Sequence, residues 1–335
     1  MAKRDIVYVP ILKSKAAERS ALSHVTPERK AKLRPLLELH PHGAKALGDH
    51  VEDICEALQS AWGVNRWFYG DTIWLHGTTG SPAIISETFE AMRNCDLESV
   101  QVVRTTYDDA SLQQLQDIIT DGDRGYLLRI TPDVLDTPVF IGAVVDSLGL
   151  SRDKVDLLLD YRQHPMTLAD HIGQIPNLGE WRSLIAASGV FPKSLLNFPL
   201  RQWHTIQRHD FLSWQEGVGS SLKRNPIYSD YTMRAPGPPA DFGEPSVNLR
   251  YARKDCWLVQ VGGKHKDGAA VEMHTMASEL VARPEYLGPD FGTGDEEIER
   301  VTDEDEGPGG PTQWLQWCVS HHMEFVVEQL SSGGA

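Results

Sequence analysis

Residues 154–165 read KVDLLLDYRQHP, an apolar run that ends in acid, phenol, guanidinium and imidazole. Val155 to Leu159 are apolar except for Asp156, and Asp160, Tyr161, Arg162, Gln163 and His164 follow without a break. Side chains of a strand alternate between two faces, so Leu158 and Asp160 share one face and Leu157 and Leu159 the other. A charge directed into an apolar interior is very costly unless it is paired. The polar cluster therefore marks where a buried strand emerges, with Asp156 at one end of the run and Asp160 at the other.

The same pattern recurs along the chain. Strand candidates lie at Ile6–Leu12, Leu33–Leu39, Arg66–His76, Ser99–Arg104, Gly125–Ile130, Lys154–Tyr161, Trp181–Gly189 and Pro226–Thr232. Helical patterns separate most of them. Leu47, Val51, Ile54, Cys55 and Leu58 recur at helical spacing. Ser81 with Pro82 and Thr131 with Pro132 read as helix starts, and Asp108 or Asp109 as a cap. The stretch RQWHTIQRHDFLSWQEGV (201–218) reads as an amphipathic helix or a loop leading into one. Strands alternating with helices predict a parallel sheet, and eight such units that close on themselves give a (β/α)8 barrel. The rival is an open doubly wound sheet, which usually carries a glycine-rich phosphate loop after its first strand. Here the first strand is followed by KSKAAERS, which has no glycine.

The expected fold is thus α/β, a (β/α)8 TIM-like barrel over residues 1–232 with an appendage over 233–335, all in one domain. The Pro/Gly-rich stretch MRAPGPPADFGEP precedes two extended runs in 246–264, read as an appended β-hairpin with a turn near Lys254–Asp255. A helix at AAVEMHTMASELVA and a final amphipathic helix through 312–330 complete the appendage.

Composition bounds the function classes. The chain has 335 residues, 41% hydrophobic and 24% charged, which is ordinary for a globular protein. No run approaches the roughly 18 apolar residues of a membrane helix, and the apolar stretch near the start lacks a cleavage site, so no membrane and a cytoplasmic location are expected. Cys55, Cys95, Cys256 and Cys318 have neither metal-ligand nor redox-motif spacing and read as reduced thiols. A net charge of −15 disfavours nonspecific nucleic-acid binding. Part of that charge lies in Gly294–Pro311, which carries eight acids and one arginine and reads as an acidic loop with a solvated face.

Several segments resemble, in consistent order, the beta protein family encoded by phages and bacteria. They are YVPILKSK, RPLLEL, LLLDY, IAASGVFP, YSDY, NLRYARKDCWLVQVGGK and WCVSHHMEFVVEQL. The resemblance implies a single full-length module and a phage or anti-phage defence context. It supplies no catalytic assignment.

Active sites of such barrels lie at the C-terminal ends of the strands. That rule selects Lys13, Glu38, Asp160 and Asp230 as candidate catalytic groups, and Arg104, Arg129, Tyr161, Tyr231 and Arg250 as candidate substrate-binding groups. The cations suit a phosphate or carboxylate. Glu38, Asp160 and Asp230 can hold Mg2+ or Mn2+ or act as acid and base. Lys13 with a depressed pKa can instead form a Schiff base. Together these groups suit a metal-assisted hydrolase or transferase acting on a small phosphorylated or nucleotide-like substrate. The alternative is a non-catalytic recognition module for a protein or nucleotide signal, in which strand-end charges pair only with one another. The enzyme reading fails if Asp160 and Asp230 lie far apart or on the barrel exterior. Adjacent His321 and His322 point about 100° apart on a helix, so one is expected to face the core and the other solvent. GGKHKDG (262–268) reads as a turn, with an anion-binding flap as the rival.

Overall fold

The structure is a computed structural model that describes residues 6–40, 47–75, 83–122, 124–137, 139–149, 151–238 and 245–332. Eight parallel strands close into a barrel: β1 (Tyr8–Lys13), β2 (Leu36–Glu38), β3 (Phe68–Asp71), β4 (Ser99–Arg104), β5 (Tyr126–Ile130), β6 (Val155–Asp160), β7 (Ser183–Ser188) and, after one excursion, β9 (Ile227–Asp230). Closure is made by β9 pairing with both neighbours, Tyr8 opposite Tyr228 and Ala187 opposite Ser229.

Strand alternation sorts the side chains into two apolar layers. Inside the barrel lie Val9, Ile11, Leu36, Tyr69, Val100, Val102, Leu127, Leu158, Ile185 and Ala187. Outside, Leu12, Leu37, Val103, Leu128, Leu157, Leu159 and Ala186 pack with the surrounding helices. The central run of KVDLLLDY is apolar throughout because both faces of β6 are buried. At the N-terminal end of the barrel, Asp156 is buried rather than solvated. It accepts from Arg182 Nε at 2.8 Å, Ser183 Oγ at 2.6 Å and the Tyr69 hydroxyl at 2.7 Å.

The excursion corrects one expectation. Within the stretch read as helical, residues 203–207 form strand β8 (Trp203–Gln207), and the helix begins only at His209. β8 pairs antiparallel with β11 (Cys256–Lys264), which pairs with β10 (Ser246–Ala252). The appended hairpin is therefore two strands of a three-stranded sheet. Trp203, Thr205 and Ile206 are aromatic or β-branched residues that favour strands, and backbone pairing with a strand some fifty residues away holds them as one. Smaller corrections follow the same line. β3 ends at Asp71, short of the expected His76, which lies outside the described residues, as do Ser81 and Pro82. The stretch from Pro132 forms a short 3-10 turn and a separate helix, Val139–Ser147, and Thr131 makes no side-chain cap. Asp108 does act as a cap, accepting from Ser111 N at 2.8 Å. GGKHKDG completes β11 and a 3-10 turn.

The acidic segment is also partly helical, over Thr293–Arg300, with Asp295 fully buried. A second core joins the three-stranded sheet to this helix, to Glu272–Val281 and to the long helix Pro311–Ser332. The long helix packs on both units and buries both histidines, contrary to the expected division between core and solvent. His322 Nε2 lies 2.9 Å from Asp230 Oδ2 on the barrel, and His321 Nδ1 lies 2.8 Å from Asp295 Oδ2 on the appendage. Adjacent residues on one helix thus fasten opposite sides of the joint. Among the described residues no helix is long and apolar enough to cross a membrane.

Candidate functional site

Above the apolar interior, every barrel strand except β7 carries at or next to its C-terminal end a polar residue whose parity directs it inward. These are Lys13, Glu38, Asp71, Arg104, Arg129 (one residue before the end of β5), Asp160 and, one residue beyond β9, Tyr231. All seven are buried. Arg129 is the hub. Its Nε and Nη2 donate to Asp160 Oδ2 at 3.0 and 2.8 Å, and its Nη1 donates to Glu38 Oε1 at 3.0 Å and Asp71 Oδ2 at 2.8 Å. Nη2 also donates to the Tyr231 hydroxyl, which donates to Asp160 Oδ2 at 2.7 Å. Arg104 Nη2 donates to Asp71 Oδ2 at 2.6 Å, and the Trp74 indole donates to Glu38 Oε2 at 3.2 Å.

The layer holds three cations, Lys13, Arg104 and Arg129, against three carboxylates, Glu38, Asp71 and Asp160. Burial alone would raise the Asp71 and Asp160 carboxyls. For Asp71 the Arg104 and Arg129 guanidinia outweigh burial, and for Asp160 Arg129 and the Tyr231 hydrogen bond do so; both sit below the usual carboxylate range. Burial, with Asp160 adding to it, keeps the Tyr231 phenol neutral although Arg129 opposes the shift.

At the β1 edge of this layer the balance turns positive. Lys13 Nζ donates to Ala235 O at 3.3 Å, and burial, followed by the Arg234 and Lys15 charges, pulls its ammonium below the ordinary value against Glu18 and Glu38. His40 is driven down to about 3, first by burial and then by Lys13 and Lys15. Glu18, on the helix that follows β1, is 1% exposed, with Oε1 3.9 Å from Arg234 Nε.

Three sequence-predicted site residues lie elsewhere. Asp230 faces the outer layer, where it accepts from the hydroxyls of Tyr8 at 2.5 Å and Tyr228 at 3.0 Å and meets His322. Tyr161 likewise turns outward, with its hydroxyl 3.0 Å from His171 Nδ1. Arg250 belongs to the appended sheet, with Nη1 donating to Met233 O at 2.6 Å and its guanidinium over Phe191. The physical reason is the two-residue period of a strand: if Asp160 and Tyr231 face inward, their neighbours Tyr161 and Asp230 face outward. Glu38, Asp160 and Asp230 therefore do not converge on one ion. Among the described residues no three His, Cys, Asp or Glu side chains are grouped to hold a metal. Asp71 is not among the sequence candidates because the third strand candidate, Arg66–His76, runs past it. Its signal is FYGD, a short apolar run ending in an acid like LLE and LLLD. Glu18 carried no motif, since its position depends on how its helix docks.

A closed parallel barrel whose mouth is lined by a compensated layer of acids, arginines and a phenol defines a (β/α)8 barrel protein. The chain belongs to the Beta protein family, which matches it over residues 8–328. No curated protein matches it. Among solved structures it is similar to a mutant tryptophan synthase α-subunit from Pyrococcus furiosus, at 13% identity and a TM-score of 0.38, over 68% of this chain and 87% of that one. It is also similar to a lyase/mutase candidate from Burkholderia cenocepacia, at 15% identity and a TM-score of 0.38, over 69% of this chain and 78% of that one.

Proposed function

We propose that the C-terminal mouth of the barrel binds a small anionic ligand, phosphorylated or nucleotide-like, and acts on it as a hydrolase or transferase. Lys13 carries this reading. It is a buried cation at the end of β1 whose ionisation is depressed by burial and then by Arg234 and Lys15 beside it. Like charges held together repel, and an anion placed among them relieves that repulsion while gaining charge-assisted hydrogen bonds. The Glu38–Arg129–Asp160–Tyr231 network supports the reading as a rigid floor beside this cationic edge. A fixed polar floor does not have to reorganise as charge develops in a reaction. The metal-assisted form with Mg2+ or Mn2+ loses a carboxylate to the outward turn of Asp230, so the cationic side chains take over charge compensation. The phage or defence setting comes into this reading from the family resemblance alone.

Two observations favour a second reading, the non-catalytic recognition module. Asp230 lies on the outer face of the barrel wall, the placement under which the enzyme reading of Asp160 and Asp230 fails. Arg129 satisfies Glu38, Asp71 and Asp160 internally, as a purely structural plug would. Thermal unfolding with inorganic phosphate, nucleotides and sugar phosphates, each with and without Mg2+, separates the two. A ligand at 100 times its Kd that binds only the native state adds about 2.7 kcal/mol of stability. The anion-site reading expects a rise in Tm that is lost in Lys13→Met. No rise with any of these ligands, or a rise unchanged in Lys13→Met, overturns it in favour of the plug.

A further inference from the structure

Glu18 and Lys13 leave a specific gap in an otherwise satisfied mouth. Glu18 is buried in the first turn of its helix, and its Oε2 has no hydrogen-bond partner. The carboxyl has a backbone hydrogen bond with Lys13, and Oε1 is 3.9 Å from Arg234 Nε, too far for a second one. A buried carboxyl oxygen left unsatisfied costs about 1–3 kcal/mol, so such groups generally have a use. Lys13 has three donors and a single, long hydrogen bond among the described residues, to Ala235 O at 3.3 Å. Both side chains therefore have unused bonding capacity at one edge of the mouth, flanked by the cations Arg234 and Lys15.

We infer that Lys13 is an amine nucleophile for small carbonyl compounds bearing a phosphate or carboxylate, with Glu18 transferring the proton and Arg234 and Lys15 holding the anionic group. The inference rests on the anion-site reading above and narrows it to group transfer through a carbonyl carbon. Burial and the Arg234 charge favour the neutral amine, which is the nucleophilic form, and burial favours the neutral carboxylic acid on Glu18. In the step, the Lys13 nitrogen lone pair adds to the carbonyl carbon, and a proton moves from nitrogen to the former carbonyl oxygen. The resulting carbinolamine hydroxyl takes a proton from Glu18 and leaves as water. An iminium on Lys13 and a carboxylate on Glu18 remain, and that carboxylate is placed to accept a proton in the next step.

Pyridoxal 5′-phosphate, an aldehyde carrying a phosphate, is a direct probe. The full chain is incubated with a substoichiometric amount, reduced with sodium borohydride and mapped by peptide mass spectrometry. The expected result is labelling of Lys13 at least tenfold faster than any other lysine, suppressed by inorganic phosphate. Glu18→Gln should slow that labelling about tenfold or more, and Arg234→Ala should weaken competition by phosphate. Lys13→Met should lose the fast label, and melting curves of all three variants report folding. If a variant fails to fold, the wild-type map alone decides. Labelling spread over exposed lysines with Lys13 unmodified, in a protein that phosphate still stabilises, overturns the nucleophile and leaves the anion site standing. Absence of both label and stabilisation removes both. Fast labelling unaffected by Glu18→Gln overturns the role of Glu18.

Discussion

Replacing Arg129 by Met removes the hub of the barrel mouth while roughly keeping its volume. The side chain donates twice to Asp160 and once each to Glu38, Asp71 and Tyr231, all buried. The layer passes from three cations against three carboxylates to two against three. Breaking a buried pair by removing one partner typically costs about 3–5 kcal/mol, because the survivor is left buried and uncompensated. For a chain of this size that corresponds to a drop in Tm of roughly 4–7 °C. The loss should also depend on pH in a definite direction. In the wild type, Asp71 and Asp160 have folded pKa values below their unfolded ones, so their contribution is fully present above about pH 4 and is lost as pH falls through the folded values. In the variant, Asp160 loses its main counter-charge and burial dominates, raising its pKa above the unfolded value. A raised carboxyl destabilises increasingly as pH rises, by about 1.4 kcal/mol for every tenfold weakening of the acid once it is ionised. The gap between variant and wild type should therefore be largest near pH 8 and shrink towards pH 5. Urea unfolding followed by tryptophan fluorescence at pH 5, 6.5 and 8 measures it. A loss below about 1 kcal/mol, or one constant across that range, would refute the view that Arg129 serves as charge compensation.

Asp230→Ala should cost about 3 kcal/mol or more, by stranding His322, Tyr8 and Tyr228, yet leave the response to phosphate intact, because Asp230 faces away from the mouth. A lost phosphate response at normal stability would contradict that placement. His322 is held below its ordinary pKa by burial, with Asp230 opposing; the unfolded state therefore binds the proton first, and stability falls as pH drops below about 6.5. His322→Gln should remove about one proton's worth of that slope, read from unfolding curves at pH 5–7; an unchanged slope would exclude His322 as its source. Gly125 has φ +67° and its Cβ would lie 1.8 Å from Lys154 O, so Gly125→Ala should lower stability by more than about 1 kcal/mol through backbone displacement at the start of β5. A melting temperature within 1 °C of wild type, a limit of roughly 0.7 kcal/mol by size scaling, would show that this turn yields freely.

The barrel was legible from the chain alone. Both faces of each barrel strand are buried, so apolar runs such as VDLLLD and SVQVVR are nearly continuous, and the polar residue ending each run marks the mouth. Glu38, Arg104, Arg129, Asp160, Tyr231 and Lys13 could be picked out for that reason. Continuity, however, erases phase. An apolar run reads the same whichever residues point inward, and the paired register of all eight strands was needed to decide that Asp160 enters the mouth while Tyr161 leaves it, and that Tyr231 enters while Asp230 leaves. That choice dissolved the sequence-predicted metal trio. Long-range pairing also set β8, whose hydrogen bonds come from β11, and the partners of His321 and His322, which lie on different units of the fold. Contacts between residues far apart in the chain leave no local period to read. Glu18 belongs with them: its chemistry comes from burial beside Arg234 and Lys13, and the docking of its helix is what brings that about.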